Sequence, residues 1–218
     1  MAERDRVARY VSLVDAIRKC RKCPLHLHRK NPVPGEGPLD ARVMLVGEAP
    51  GRREDETGRP FVGAAGHLLD ALLGLAGLKR EEVYITNIVK CRPPGNRDPT
   101  QAEIRACLPY LLEQIDIIRP GLLIALGRHA GRTLFSLLGR PWRGLSAEHG
   151  VPIRGTIKQL GLEVEVIATY HPAAALYNPQ LRSVIEEDFR GSIREEASKL
   201  LAGRGRDARR GRSLLDFF

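Results

Sequence analysis

Short runs of apolar residues alternate along the chain with longer segments in which apolar residues recur every three or four positions. The short runs are rich in β-branched residues, which is typical of buried strands, whereas the longer segments are typical of amphipathic helices. The pattern predicts four strands, at residues 42–47, 82–89, 121–126 and 164–169. Strands that alternate with helices form a parallel sheet covered on both faces. We therefore predict an α/β fold, a three-layer α/β/α sandwich with a central four-stranded parallel sheet.

The predicted helices have recognisable ends. Thr100 and Glu103 form a capping box that begins one helix, and Gly77 ends another. The predicted helices cover residues 3–19, 68–75, 100–119, 128–138 and 178–201. The first is expected to bury Val7, Tyr10, Val11, Val14 and Ile17. Residues 139–161 carry no clear pattern, and a hairpin around residues 148–150 is their best interpretation.

Polar residues lie at or just beyond the ends of all four predicted strands. They are Glu48, Asn87, Arg128 and His171. The carboxyl ends of parallel strands meet at one edge of a sheet, where open α/β folds bind ligands. The sequence therefore predicts a functional site that these four residues share.

Charge indicates the class of partner. The 218-residue chain has a net charge of +9, and its 28 arginines greatly outnumber its 7 lysines. A basic, arginine-rich surface favours a polyanionic partner and phosphate recognition, and this bias weakly indicates a thermophilic source. No apolar run approaches the roughly 20 residues that a membrane span requires. We expect a monomeric, intracellular, cytoplasmic protein.

The loop after the first strand, GEAPGRREDETGRPFVG, resembles no common nucleotide-binding motif. It lacks the Gly-Lys-Ser/Thr ending of a P-loop, and the chain has no GxGxxG fingerprint. No GxSxG motif supports acyl transfer either. On residue type alone, Glu54, Asp55 and Glu56 are equally well explained as a solvated charged loop.

Four cysteines have a spacing typical of a metal site. Cys20 and Cys23 form a CxxC pair, and Cys91 and Cys107 follow. Four thiolates suit either zinc or an iron–sulfur cluster, and the spacing does not distinguish the two. His26 and His28 are alternative zinc ligands, although loop histidines are the simpler interpretation, and four free thiols remain the alternative to any metal.

Several separate motifs, in the same order, resemble the iron–sulfur (family four) uracil-DNA glycosylases. They are GEAPGRREDETGRPFVG, TNIVKCRPPGNRDP, HPAAALYNP and the four-cysteine spacing, and together they extend from Cys20 to about Phe189. The resemblance implies that Cys20, Cys23, Cys91 and Cys107 hold a 4Fe-4S cluster with a structural role. It also implies an enzyme that flips uracil out of DNA and hydrolyses its N-glycosidic bond, which leaves an abasic site for base excision repair.

The resemblance implies roles for three pocket residues. Phe61 is expected to stack on uracil, and Asn87 to read its edge and reject cytosine. His171 is expected to donate a hydrogen bond to uracil O2 as negative charge develops there. Without the resemblance, core packing explains Phe61 and the end of a strand explains Asn87.

Glu48 and Ala49 occupy the place at which a related family carries a water-activating aspartate. Ala49 cannot activate water, so the reaction must depend on stabilising the leaving group and the sugar cation. Glu48 is expected to shape the pocket floor as a catalytic residue. Glu54 is expected to position water or to fill the space beside C5 of the base, which would exclude thymine.

The loop after His171 is the predicted DNA wedge. Leu176 or Tyr177 would fill the gap that the flipped nucleotide leaves, and a surface loop packed on the last helix is the alternative. Ala173 stands where many relatives have a serine, and alanine lacks the hydroxyl with which that serine could bind a phosphate.

The composition changes near the end of the chain. Residues 1–201 are predicted to form one glycosylase-like domain, and residues 202–218 a flexible basic tail. The ending GRSLLDFF resembles the sliding-clamp-binding peptide, with Leu214, Phe217 and Phe218 as anchors but without its usual leading glutamine. A tail packed on its own domain explains the ending equally well.

Two other functions remain open from the residues. One is a non-catalytic nucleic-acid-binding module stabilised by zinc. The other is an α/β enzyme that acts on a nucleotide phosphate and requires a divalent metal ion.

Overall fold

A five-stranded sheet forms the centre of the fold in a computed structural model that describes residues 3–202. Its strand order is β2-β1-β3-β5-β4. The strands are β1 (Val43–Gly47), β2 (Tyr84–Asn87), β3 (Leu122–Leu126), β4 (Pro152–Ile157) and β5 (Leu162–Thr169). The first three and β5 pair in parallel, and β4 pairs antiparallel with β5. The predicted α/β sandwich and its four parallel strands are confirmed, but the predicted strand count is wrong by one.

The additional strand lies in the segment that the sequence leaves unassigned. β4 forms a hairpin with β5 through a turn at Lys158–Leu160, so the hairpin predicted around residues 148–150 lies elsewhere. Side chains of β4 are largely exposed, because it is an edge strand and its sequence PIRGTI has few apolar residues. An edge strand of this kind gives little hydrophobic signal.

Helices cover both faces of the sheet. They are α1 (Glu3–Arg18), α2 (Arg52–Thr57), α3 (Ala64–Leu75), α4 (Gln101–Ile118), α5 (Arg128–Leu137), α6 (Leu145–Glu148), α7 (Pro172–Ala175), α8 (Pro179–Asp188) and α9 (Arg194–Ala202). The predicted capping box of α4 is confirmed, since the Glu103 amide donates to Thr100 Oγ1 and the Thr100 amide donates to Glu103. The single helix predicted for residues 178–201 is wrong, because a π-helical turn with non-helical Gly191 separates α8 from α9. The sequence did not predict α2.

Two hydrophobic clusters lie on opposite faces of the sheet. Along β1, Met44 and Val46 contribute to one cluster, whereas Val43 and Leu45 contribute to the other. This alternation is expected of a strand buried on both sides.

On α1 the buried residues are Tyr10, Leu13 and Ile17. The prediction from the sequence omitted Leu13, and Val11, which it expected to be buried, is exposed. Within residues 3–202, no helix combines the length and the apolar character needed to cross a bilayer.

Candidate active site and cysteine site

A cavity of about 290 Å³ lies at the carboxyl ends of the parallel strands. The structure brings six of the predicted site residues to its wall: Glu48, Ala49, Glu54, Phe61, Asn87 and His171. Residues distant in sequence meet here because β1, β2 and β5 all end at this edge. Arg128, which was also predicted to lie at this edge of the sheet, does not line the cavity.

Phe61 is held in an unusual backbone conformation. Its ring is buried, and its φ of +50° lies in the left-handed region that non-glycine residues rarely adopt. Two glycines allow it to approach the sheet and α3, because a Cβ at Gly66 would overlap the Phe61 carbonyl and one at Gly47 would lie 2.7 Å from the ring. Arg80 donates hydrogen bonds to the carbonyls of Pro60 and Phe61, at 2.6 and 3.2 Å. These contacts hold the ring at the cavity wall.

Asn87 presents an unpaired acceptor. The residue is only 1% exposed, and among the described residues its Oδ1 has no hydrogen-bond donor. An unsatisfied buried polar atom costs about 1–3 kcal/mol, so such atoms are rare in folded proteins. The absence of a side chain at Gly47 leaves room for this oxygen, since a Cβ there would overlap it. Asn87 therefore contributes an amide acceptor without a partner to the wall of this cavity.

His171 has a defined tautomer. It caps α7, and its Nδ1 accepts a hydrogen bond from the Ala173 amide at 3.1 Å. The proton of the neutral ring is therefore on Nε2. Burial lowers the pKa of His171 to about 4, although the nearby Glu54 carboxylate acts in the opposite direction. Its ring stacks on Phe61 with centroids 5.5 Å apart. At neutral pH this side chain is an uncharged hydrogen-bond donor.

Glu54 organises the loop that carries Phe61. Its Oε1 accepts hydrogen bonds from the amides of Val62 and Gly63, both at 2.9 Å. Because both amides follow Phe61 directly, the carboxylate fixes the position of the aromatic ring. The solvated-loop interpretation of Glu54 is therefore wrong. Asp55 is buried, and its carboxylate accepts hydrogen bonds from the amides of Lys30 and Asn31.

Glu48 belongs to a cluster that the sequence did not predict. His129 Nε2 lies 3.9 Å from the Glu48 carboxylate and 3.3 Å from that of Asp98, which also pairs with Arg128. Burial raises the pKa of the Glu48 carboxyl, and His129 counteracts this. Within the described part of the chain, Glu48, Asp98 and His129 form the one group whose potential metal ligands all lie within 4.8 Å of one another. His129 comes just after β3 in the sequence, and this position could have predicted that it lies at the same edge of the sheet.

The four cysteines surround a second, much smaller cavity. None forms a disulfide. N–H groups point at three of the sulfurs: Arg29 Nη1 lies 3.0 Å from Cys91 Sγ, the Lys90 amide 3.3 Å from Cys107 Sγ and the Lys22 amide 3.5 Å from Cys20 Sγ. Donors of this kind stabilise thiolates and are typical of iron–sulfur sites.

The spacing of the sulfurs can be compared with the geometry that each candidate metal requires. No three of them lie within 4.8 Å of one another. In a tetrahedral zinc site, Zn–S bonds of about 2.3 Å place the sulfurs about 3.8 Å apart. The donor set therefore fits a multi-atom cluster better than a single zinc ion.

The predicted wedge residues lie outside the cavity wall, on the turn between α7 and α8. Leu176 is 39% exposed and Tyr177 is 91% exposed. The predicted clamp-binding anchors, Leu214, Phe217 and Phe218, lie outside the described residues.

The family model and the individual proteins that match this chain all carry the same description, uracil-DNA glycosylase. The family model of the Uracil DNA glycosylase superfamily matches residues 34–194. A type-4 uracil-DNA glycosylase of Saccharolobus solfataricus is 52% identical over 179 residues, which is 82% of each chain. The type-4 enzyme of Thermotoga maritima is 47% identical over 87% of this chain and 94% of its own length. A type-5 uracil-DNA glycosylase of Pyrobaculum aerophilum is 36% identical over 77% of each chain.

Proposed function

This chain belongs to the Uracil DNA glycosylase superfamily, among its type-4 members, and on that premise we propose that it hydrolyses the N-glycosidic bond of uracil in DNA. The observation that carries the proposal is the unpaired Asn87 Oδ1 in a cavity whose wall also holds the stacked rings of Phe61 and His171. The product is an abasic site, the starting point of base excision repair.

Recognition of the base follows from the arrangement of Asn87 and Phe61. A uracil inside a duplex is stacked, so it must be flipped into the cavity before it reacts. There Phe61 contacts the face of the ring, while Asn87 Oδ1 accepts from uracil N3–H and its amide nitrogen donates to O4. Cytosine has an acceptor at N3 and a donor at position 4, so both hydrogen bonds would be lost.

Bond cleavage is assisted at the leaving group. When the C1′–N1 bond breaks, the electron pair remains on uracil, and the negative charge spreads to O2. His171 Nε2–H donates to this oxygen, and the Ala173 amide at Nδ1 keeps the proton on that side. A neutral donor binds the developing oxyanion without transferring its proton.

Water completes the reaction at the sugar. Its oxygen bonds to C1′ of the oxocarbenium-like sugar, and its proton passes to a base or to solvent. Ala49 offers no base, and Oε1 of Glu54 is occupied by two amides. Glu48 is the remaining carboxylate that we assign to the water, and Glu54 acts through the loop that holds Phe61.

The cysteines Cys20, Cys23, Cys91 and Cys107 are proposed to hold a 4Fe-4S cluster. The wide sulfur spacing and the N–H groups directed at the sulfurs support this ligand set. Glycosidic hydrolysis transfers no electrons, so the bound cluster supplies a cross-link between distant segments of the chain.

The remaining assignments concern DNA and the end of the chain. Leu176 and Tyr177 form the proposed wedge, and residues 1–201 the catalytic domain. Residues 202–218 are proposed to be a basic tail that docks on a sliding clamp through Leu214, Phe217 and Phe218. We propose that the enzyme acts as a monomer in the cytoplasm, on single- or double-stranded DNA.

An oligonucleotide with one uracil opposite guanine tests the proposed function. After incubation with the protein in EDTA and treatment with alkali, the strand should break at uracil and not at a cytosine in the same position. His171→Ala should slow single-turnover excision by about 100- to 1,000-fold, the usual effect of losing an oxyanion donor. Binding without cleavage would instead support a non-catalytic module, and cleavage that requires a divalent metal ion would support a phosphate-directed enzyme.

A further inference from the structure

Asp188, the last residue of α8, is buried beside the end of β5. It is only 7% exposed, and its carboxylate accepts hydrogen bonds from Thr169 Oγ1 at 2.6 Å and from His149 Nδ1 at 3.0 Å. Burying a carboxylate is costly unless its charge is hydrogen-bonded. Because its two donors belong to other parts of the fold, this carboxylate joins α8 both to β5 and to the segment that precedes β4.

Gly150 makes this junction possible. Its φ of +69° lies in the left-handed region, and a Cβ at this position would overlap Asp188 Oδ1. Any other residue would therefore be strained in its backbone and would displace the carboxylate. The Gly150 amide also donates to the Ala168 carbonyl at 2.9 Å. The backbone before β4 thus contacts both β5 and the carboxylate.

The end of β5 depends on these contacts because its neighbour β4 does not reach it. The pairing with β4 stops at Ile167, whereas β5 continues for two more residues to Thr169. On that side of the strand, the Gly150 amide and the Asp188 carboxylate take the place of a neighbouring strand. His171 follows Thr169 by two residues. The position of His171 at the cavity wall therefore depends on how the end of β5 is held.

We propose that Asp188 is a positioning residue for base excision: by holding Thr169 and His149, it places His171 where its Nε2–H meets O2 of the departing uracil. The ring of His149 also packs against Tyr170, the residue directly before His171, with centroids 5.4 Å apart. Asp188, Thr169 and His149 do not line the cavity, so they act on the reaction only through His171. This inference rests on the proposed function.

The variant Thr169→Val tests the proposal, because valine has the shape of threonine but cannot donate to Asp188. Single-turnover excision of uracil should fall about tenfold, since a small displacement of a catalytic group is costly. Affinity for abasic-site DNA should change less than about twofold. Thr169→Ser keeps the hydroxyl and should excise within about threefold of the wild-type rate. Thr156→Val, on the exposed face of β4, is the matched control and should change neither quantity.

A double-mutant cycle separates positioning of His171 from a general loss of structure. In a His171→Ala background the donor is already absent, so adding Thr169→Val should slow excision by less than a further twofold or so. A tenfold loss in both backgrounds would overturn the proposal, because the effect would then not act through His171. A wild-type rate in Thr169→Val would overturn it as well, as would a Thr169→Ser variant that is as slow as Thr169→Val.

The variant His149→Phe provides a second test if Thr169→Val does not fold. Phenylalanine keeps a ring against Tyr170 but removes one hydrogen bond to Asp188, so excision should slow several-fold in the wild-type background and stay unchanged in the His171→Ala background. A wild-type rate in His149→Phe, or the same loss in both backgrounds, would contradict the proposal. Failure of the proposed function is distinguishable, because the wild-type protein would then not excise uracil at all.

Discussion

At the scale of single residues, Arg80 determines where Phe61 lies. Its guanidinium binds the Pro60 and Phe61 carbonyls and pairs with Glu36 and Asp70. We predict that Arg80→Met slows single-turnover uracil excision about tenfold, because φ near +50° at Phe61 is unfavourable without these hydrogen bonds. The measurement is the excision rate at saturating enzyme.

Arg59→Met is the matched control for Arg80→Met. Arg59 pairs with the same Glu36 but is more exposed and has no hydrogen bond to the Phe61 loop. We expect its excision rate to stay within about twofold of the wild type, since exposed ion pairs contribute little. Equal losses in the two variants would mean that the charge at Glu36, and not the support of Phe61, is what matters.

The protonation of His171 gives a second prediction at this scale. Protonation of Nδ1 would break the hydrogen bond from the Ala173 amide that orients the ring, and burial lowers the pKa of His171 to about 4. As the pH falls, the contribution of His171 to excision should therefore be lost only near pH 4 and not near the ordinary histidine value of about 6.5. Because Glu48 must lose a proton and burial raises the pKa of its carboxyl, the profile is best measured in Glu48→Gln. An acid limb near pH 6.5 in that variant would show that burial does not keep His171 neutral.

Residue types at the ends of strands could be predicted from the sequence, but their local partners could not. Glu48, Asn87 and His171 are recognisable because each lies at or just beyond the end of an apolar run. By contrast, the amide contacts of Glu54 and the proximity of His129 to Asp98 depend on how separate loops fold against each other. Hydrophobic periodicity carries no information about such contacts.

At the scale of elements, the turn between α7 and α8 gives a third prediction. Leu176→Ala should slow excision from duplex DNA several-fold more than excision from single strands, because only a duplex leaves a gap to fill when the base flips. Val151→Ala, a comparably exposed apolar residue before β4, is the control and should affect neither substrate. Equal loss on both substrates in Leu176→Ala would argue against a wedge.

Elements buried on both faces were predictable, and exposed or short elements were not. β1 and β3 are nearly continuous apolar runs, so their positions follow from composition alone, whereas β5 carries Glu163 and Glu165 and begins at Leu162, before its predicted start at residue 164. Edge strand β4 and the six-residue helix α2 bury little surface and carry many charged or polar residues. The break between α8 and α9 depends on the backbone of Gly191, which a helical pattern does not reveal.

At the scale of the whole molecule, the cysteine site joins parts of the chain that the sheet does not hold together. Cys20 and Cys23 follow α1, Cys91 follows β2 by a few residues, and Cys107 lies within α4. Their number and spacing made a metal site predictable, whereas the expectation of a cluster instead of zinc came from the resemblance to a known family. The wide spacing of the sulfurs agrees with a cluster, and this spacing depends on the packing of α1 against α4.

Removal of the metal should therefore loosen the contact between α1 and α4 and leave the sheet intact. We predict that Cys107→Ser loses the visible absorbance of an iron–sulfur cluster and melts roughly 10 °C lower. A structural metal contributes several kcal/mol, and each kcal/mol corresponds to about 2–4 °C in a protein of this size. Absorbance, iron content and the melting curve test this, with His28→Ser as a control that should keep all three at wild-type values. If His28→Ser lost the metal while Cys107→Ser kept it, the ligand set would include the histidine and the four-cysteine assignment would be wrong.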